Sequence, residues 1–232
     1  MNKIRIKNIN IVLLSGISLF LTGNVFTNSS FANNKFAGTH LGASMGLSST
    51  NYHHLGYDKI GNQNENHRYG NSGFATALSV GYLFPLTKGW LLGPDLHMQH
   101  NAYQNNNSGP SRAIPGLISA NHSFNWNYGA SAKLGYALSS NNMFYGMIGP
   151  EAAFMKSTYI ENSPESVGSN SGFVYGAIAS IGAEQKITKN IYIAEQINYA
   201  IFNLQSTPLS AGDLKKNSPS LLGGLIYIGL II

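Results

Sequence analysis

The residues with the clearest chemical potential are an aspartate and a histidine two positions apart, Asp95 and His97. In an extended strand such a pair projects to one face, where the carboxylate can orient the imidazole as a general base. A histidine that is hydrogen-bonded into a structural network has the same surroundings, so both interpretations stay open. His122 and Ser123 are a second pair with hydrolase chemistry, but adjacent residues of a strand point to opposite faces. The two side chains therefore cannot act together as a base and a nucleophile.

Histidines also collect in one polar stretch, which contains His53, His54 and His67 with Asp58 and Glu65 nearby. Imidazole and carboxylate groups together could bind zinc or copper, but no fixed spacing such as a helical pair supports a site. Solvated loop histidines are the alternative, and we expect neither a metal nor a cofactor. The chain has no cysteine, which excludes disulfides, thiolate ligands and cysteine nucleophiles.

The elements that must position these residues are rows of alternating side chains with aromatic ends. In residues 74–84, 144–154 and 124–136, every second residue is mostly apolar or small, and both ends are aromatic. A period of two predicts β-strands. Ten residue steps of about 3.3 Å, tilted by roughly 40°, cover about 25 Å, which is the height of the apolar band of a transmembrane β-barrel.

Eight strands follow from this alternation, with polar stretches between them. The predicted strands are Thr39–Ser48, Gly73–Phe84, one beginning at Trp90 and reaching Asn101, His122–Leu138, Phe144–Lys156, Phe173–Lys186, Ile191–Leu204 and Leu221–Ile232. The fold class is therefore all-β, an eight-stranded antiparallel up-and-down transmembrane β-barrel. A soluble lipocalin-like barrel is the alternative architecture; it would need bulky rows inside and a charged exterior.

The connections alternate between short and long. The short ones are residues 85–89, 139–142 and 188–190, and the long ones, rich in Asn, Ser and Gly, are residues 49–72, 104–121, 157–172 and 205–218. Outer-membrane barrels have short periplasmic turns and longer external loops. The asymmetry therefore predicts which end of the barrel faces outward.

The two aromatic girdles should lie where the outer wall meets the headgroups. The residues expected there are Phe74, Phe84, Trp90, Phe124, Trp126, Tyr136, Phe144, Phe154 and Phe173. Glu195 shares a face with isoleucines of the seventh strand and would point at lipid, unless a bulge turns it into the lumen.

The opposite rows consist of Gly, Ala, Ser and Asn with four charged residues, Asp95, Lys133, Glu151 and Glu184. A buried charge must be paired, so we expect Lys133 to bridge Asp95 and Glu151 as part of a structural plug. An ion-selective lumen is the functional alternative, but eight strands leave an interior that side chains can fill.

A short internal repeat links two strands, since residues 90–95 resemble residues 145–151 and both copies contain Gly-Pro before an inward acid. Proline cannot donate to a ladder. We therefore expect a bulge or a locally unpaired amide at Pro94 and at Pro150.

The N-terminal residues 1–32 have the pattern of a signal peptide. Lys3, Arg5 and Lys7 precede a mostly apolar core, and Ser30-Phe31-Ala32 forms a small-x-small cleavage site. Cleavage after Ala32 would leave residues 33–232 as one outer-membrane β-barrel domain; a signal anchor is the alternative. Charged residues make up only 10% of the chain and its cations are scattered, so nucleic-acid binding has no support.

Signal peptide, alternating strands, girdles, short turns and lumenal acids together resemble the small eight-stranded outer-membrane barrels, the opacity-protein and outer-membrane β-barrel-domain family. The resemblance covers nearly all of residues 33–232. It implies a porin-like barrel in the outer membrane of a Gram-negative bacterium, contacts with lipid and with the barrel-assembly machinery, and adhesive or antigenic surface loops. One departure is the C-terminus, Leu230-Ile231-Ile232, because such proteins usually end in an aromatic residue.

We predict a structural, adhesive or antigenic surface protein with a plugged polar lumen and no enzymatic activity. Tyrosines and asparagines of the predicted loops suit adaptable contacts with host-cell or extracellular ligands; they are Tyr52, Tyr57, Tyr69, Tyr103 and residues 105–107. The alternatives are a narrow pore and a membrane-embedded hydrolase that uses Asp95 and His97, a pair that resembles the acid–histidine pair of the omptin proteases. The omptin resemblance would imply ten strands and a longer chain.

Overall fold

A computed structural model of the chain describes residues 35–57, 63–102, 117–161, 167–203, 205–208 and 214–232. Its strands are β1 (Gly38–Tyr57), β2 (Gln63–Pro85), β3 (Trp90–Ala102), β4 (Leu117–Ala137), β5 (Asn142–Glu161), β6 (Val167–Lys186), β7 (Ile191–Phe202), β8 (Gln205–Pro208) and β9 (Leu214–Ile231). Within these residues no helix is long and apolar enough to cross a membrane.

The strands form one closed antiparallel sheet. β1 pairs with β2 on one side and with β9 on the other, which removes both sheet edges from the barrel wall. β7 and β8 pair with successive parts of β9, so together they occupy one strand position. The barrel wall therefore has eight strand positions. The predicted eight-stranded barrel is therefore confirmed.

The stagger of the ladders sets the tilt of the strands. Following paired residues from Leu41 through every strand and back to β1 ends at Asn51, ten residues farther along. A stagger of this size in eight strands requires a tilt of about 40° from the barrel axis. The transmembrane height assumed from the sequence is consistent with this tilt.

Side chains alternate across the wall, with apolar rows on the outside. Leu78, Leu134 and Ile148 are 53%, 45% and 67% exposed, whereas their strand neighbours Ala77, Lys133 and Met147 are buried. The outer wall also carries the expected aromatic residues Phe74, Phe84, Trp90, Trp126, Tyr136, Phe144, Phe154 and Phe173. The direction of the alternation excludes the lipocalin-like alternative.

Phe124 is the exception, and the expectation that it lies in a girdle is wrong. The β4–β5 register shifts between Phe124 and Trp126, which marks a bulge at Asn125. One extra residue reverses the alternation above it, so Phe124 is 1% exposed inside the barrel and Asn125, expected inside, is exposed. Sequence alternation alone does not reveal a single inserted residue.

Where the structure describes them, the stretches predicted as long loops are strand. β1 and β2 remain paired from Ser48–Gly73 up to Tyr57–Gln63, and β5 and β6 remain paired up to Ile160–Val167. These segments are rich in polar residues, so backbone pairing continues there without a hydrophobic alternation to reveal it.

The short turns lie where they are predicted, and side-chain hydroxyls help to close two of them. Ser139 Oγ accepts from the backbone N–H groups of Asn141 and Asn142, and Thr188 Oγ1 accepts from those of Asn190 and Ile191. In the remaining turn, Lys88 and Gly89 both have positive φ, 51° and 86°. Two such residues make the hairpin turn that matches the strand twist.

Both Gly-Pro pairs interrupt a ladder. Pairing of β2 with β3 stops at Gly81–Asp95 and resumes at Phe84–Leu92, so the interruption faces Gly93 and Pro94. The pairing of β4 with β5 has a gap of the same size beside Pro150. A Cβ on Gly93 would lie 1.6 Å from the Tyr82 carbonyl oxygen. Only glycine permits this close approach of two strands.

Gly93→Ala should therefore destabilise the barrel, because the added methyl group displaces the Tyr82 backbone. We expect the free energy of unfolding in vesicles to fall by about 1–3 kcal/mol, measured by urea titration of tryptophan fluorescence. Gly172→Ala is the matched control, since nothing lies within 4 Å of its Cβ position, and its effect should stay within about 0.5 kcal/mol. Equal effects of the two substitutions would contradict the close approach.

Candidate functional site in the barrel lumen

Two apolar clusters close the lumen at its ends. The floor cluster, at the end with the short turns, contains Phe36, Leu83, Leu91, Met143 and Ile231, all buried. The roof cluster, toward the other end, contains Tyr52, Phe124, Met155, Phe202 and Leu221, also buried. The inward polar residues of the barrel lie between these clusters, where little water reaches them.

His97 is held between two carboxylates from the lumen wall. Its Nε2 lies 2.9 Å from Oε2 of Glu151, and its Nδ1 lies 3.8 Å from Oδ1 of Asp95. Asp95 and His97 are both on β3 and Glu151 is on β5, so the contact crosses over β4. It does so where β4 has Gly129, since a Cβ there would lie within 2.4 Å of both the His97 ring and Glu151.

Lys133 has a different partner from the one expected. Its Nζ donates to Oε2 of Glu184 at 3.3 Å and lies 4.1 Å from the centre of the Tyr145 ring. The predicted bridge from Lys133 to Asp95 and Glu151 is therefore wrong, because His97 occupies the position between those two acids. Lys133 lies closer to the turn end, where Glu184 of β6 reaches it.

Lys35 and Phe36 contact the charged region from the end of the barrel with the short turns. His40 Nε2 donates to the Phe36 carbonyl at 2.7 Å, and its Nδ1 lies 3.4 Å from Oε1 of Glu184. Lys186 donates to the Lys35 carbonyl and lies over the Phe36 ring. These contacts hold Phe36 in the floor cluster.

A layer of amides fills the lumen above the charges. Asn101 Oδ1 accepts from Ser48 Oγ at 2.8 Å and from Gln99 Nε2 at 2.6 Å, and its Nδ2 donates to Asn127 at 3.1 Å. On the other side of the lumen, Tyr145 donates to Gln196 at 2.9 Å. Hydrogen bonds thus replace water as the partner of these buried groups.

The chemistry available to this site is limited by its volume. The cavity lined by Asp95, His97, Lys133 and Glu184 measures about 20 Å³, which is room for roughly one water molecule. A substrate cannot reach the Asp95–His97 pair through the floor or roof cluster as they stand. The lumen is arranged to hold its charges in place.

Four further lumenal residues have contacts that the sequence does not predict: His40, Lys186, Tyr145 and Gln196. Each lies two positions from a buried residue of the same strand. The period-two alternation therefore predicts that these side chains point inward. Their partners could not be found in this way, because a partner two strands away depends on the stagger of the whole barrel.

The stretch that contains His53, His54 and His67 is only partly described. His54 of β1 pairs with His67 of β2 in the backbone ladder, while Asp58 lies outside the described residues, as do Tyr103 and residues 105–107. Among the parts of the chain that the structure covers, no three His, Asp or Glu side chains are placed to hold a metal ion.

Glu195 lies on the outer wall. Its ladders to Ala183 of β6 and Ile226 of β9 continue without a register shift, and its neighbours Ala194 and Gln196 are buried in the lumen. No bulge is present at this position, so the carboxylate faces outward.

The sequence matches the family described as outer membrane protein beta-barrel domain over residues 18–221. The chain belongs to this family. Membership agrees with the closed antiparallel barrel and its apolar exterior, and it makes the chain a bacterial outer-membrane protein. Under the family's usual orientation, the short turns face the periplasm and the opposite end faces outward.

Several solved barrels are similar to this family member at low identity. The attachment invasion locus protein Ail of Yersinia pestis is 16% identical, with 82% of this chain and 99% of that one covered and a TM-score of 0.41. Neisserial surface protein A is 14% identical, covering 80% and 97%, with a TM-score of 0.37. The outer membrane protease OmpT of Escherichia coli is 8% identical, covering 83% and 96%, with a TM-score of 0.39. No curated protein matches the chain.

Lys133→Met should destabilise the folded barrel, because it leaves the Glu184 carboxylate buried without its ammonium partner. We expect a loss of about 3–5 kcal/mol in the free energy of unfolding, and a smaller loss when Glu184→Gln is added. Lys156→Met, at an exposed lysine of β5, is the control and should change stability by less than about 0.5 kcal/mol. Coupling of Lys133 to Glu151 rather than to Glu184 in double-mutant cycles would contradict the assigned pairing.

Proposed function

We propose that this outer-membrane barrel acts through its external surface, as an adhesive or antigenic scaffold. The observation that carries the proposal is the continuation of paired strands beyond the outer girdle. β1 extends ten residues past the Leu47–Phe74 pair to Tyr57, which still opposes Gln63 of β2 and Leu214 of β9. At about 3.3 Å per residue and a tilt near 40°, this sheet stands roughly 25 Å above the apolar band.

The filled lumen favours this function over transport. An ion that entered from outside would meet Tyr52, Phe124 and Phe202, whose rings lie 5.2–5.7 Å apart in the roof cluster. Beyond them lie paired charges and then the floor cluster. A conducting pore would require these residues to move together.

The same packing favours a protein without catalytic activity. His97 already contacts Glu151, and the adjoining cavity of about 20 Å³ is too small for a peptide bond or an acyl chain. Its role in this proposal is structural, since it hydrogen-bonds to Glu151 and separates that acid from Asp95. The second candidate function, a hydrolase that uses Asp95 and His97, has no comparable support.

The proposal includes the route to the membrane. We infer that residues 1–32 direct export and are removed after Ala32, and that the barrel-assembly machinery inserts the remaining chain. Lys35 and Phe36 would then lie close to the new N-terminus, where their contacts with Lys186 and His40 help to close the periplasmic end.

The test shortens the protruding sheet without altering the barrel wall. Replacing residues 54–67 with a two-residue turn joins His53 to Arg68, which are already paired, and keeps Tyr52 in the roof cluster. Cells that display the full chain should bind host-cell or extracellular-matrix surfaces, and the shortened variant should lose most of that binding. A heat-modifiability gel checks that the variant still folds.

A matched variant shortens the β5–β6 hairpin, on the opposite side of the barrel, between Thr158 and Ser169, which are also paired, and shows whether one hairpin or both carry the binding. Undiminished binding when both hairpins are shortened would contradict the proposal. A steady ion current through the reconstituted full-length chain would do the same.

A further inference from the structure

Glu195 lies on the lipid-facing wall, inside the apolar band. Glu195 is four residues from the start of β7 at Ile191 and four residues from Tyr199, which places it about 10 Å from either level. Its outward neighbours on β7 are Ile193 and Ile197. A carboxylate that faces hydrocarbon at this depth is unfavourable, so a stable position for it implies a polar partner.

The aromatic girdle is interrupted on the same side of the barrel. At the turn end, β2 to β5 carry outward rings, which are Tyr82, Phe84, Trp90, Tyr136 and Phe144. The corresponding outward residues of β7, β9 and β1 are aliphatic: Ile191, Leu230, Ile232 and Leu41. Interfacial rings anchor a wall that meets lipid headgroups. Their replacement by aliphatic side chains on three adjacent strands suggests a wall that meets protein.

The shape of this face suits close packing. Ile226 and Ile228 of β9 and Met45 of β1 are 57%, 61% and 61% exposed and form a ridge. Beside them Gly224 pairs with Ile197, and nothing lies within 4 Å of its Cβ position. Association in a bilayer depends on such interdigitation and on polar contacts, because lipid tails are as apolar as the side chains.

We propose that the β7–β9–β1 face is the interface with a second copy of this chain, related by a two-fold axis along the membrane normal. This axis brings Glu195 of both copies to the same depth, since a two-fold interface pairs one surface with itself. When the two carboxyl groups share at least one proton, they form a hydrogen bond with each other. The pair then needs no cation. Among the described outward residues of β7, β9 and β1 within the apolar band, none is lysine or arginine, so the carboxyl pair is the strong polar contact that the face can offer itself.

The absence of cysteine from the chain allows a direct test with single-cysteine variants in lipid vesicles. Ile226→Cys lies beside Glu195 in the ladder, and Ile148→Cys lies on β5, on the far side of the barrel. Oxidation or a short bismaleimide should link Ile226→Cys into dimers and leave Ile148→Cys monomeric. A heat-modifiability gel confirms that each variant is folded.

Adding Glu195→Leu to Ile226→Cys should raise the dimer dissociation constant about tenfold, because the interfacial hydrogen bonds are lost. Glu195→Gln should keep the dimer, because two amides also pair. Equal linking at both cysteine positions, no linking at position 226, or a Glu195→Leu variant that dimerises as well as the parent would overturn the proposal. Linking of Ile226→Cys only to a different protein in native membranes would also overturn it.

Discussion

Inside hydrocarbon a peptide group has no water to bond with, and each unpaired group costs several kcal/mol. The pairing of β9 with both β7 and β1 meets this constraint, since it closes the sheet from Leu221 to Leu230. The remaining features of the molecule follow from the closure. Apolar rows must face lipid, short turns must join strands at one end, and the alternate side chains must share a narrow interior.

In a narrow interior, polar side chains lose contact with water and must bond to one another. Once Glu151 and Glu184 are buried, each needs a positive partner, and His97 and Lys133 supply one each at 2.9 and 3.3 Å. The floor and roof clusters then keep water from competing with these contacts. In the proposed function, this filled barrel holds the external strands upright, and its outer wall remains available for lateral contacts such as the one proposed at Glu195.

The architecture could be predicted from the sequence because lipid imposes a local, periodic pattern that is readable residue by residue. Three features could not. The outer halves of β1 and β2 are polar and carry no apolar alternation. The inward turn of Phe124 depends on one inserted residue. The choice of Glu184 as the partner of Lys133 depends on the stagger of all eight strands, which no single segment encodes. The sequence shows that Glu195 shares a face with the isoleucines of β7. It does not show that no bulge lies beside Glu195.

Spin labels placed one at a time along β5, from residue 143 to residue 154, measure most directly which side chains meet lipid. We predict that labels at even positions collide strongly with oxygen dissolved in the bilayer and weakly with a water-soluble nickel complex, while labels at odd positions are shielded from both. Accessibility without a period of two, or with the opposite phase, would contradict an apolar wall around a filled polar centre.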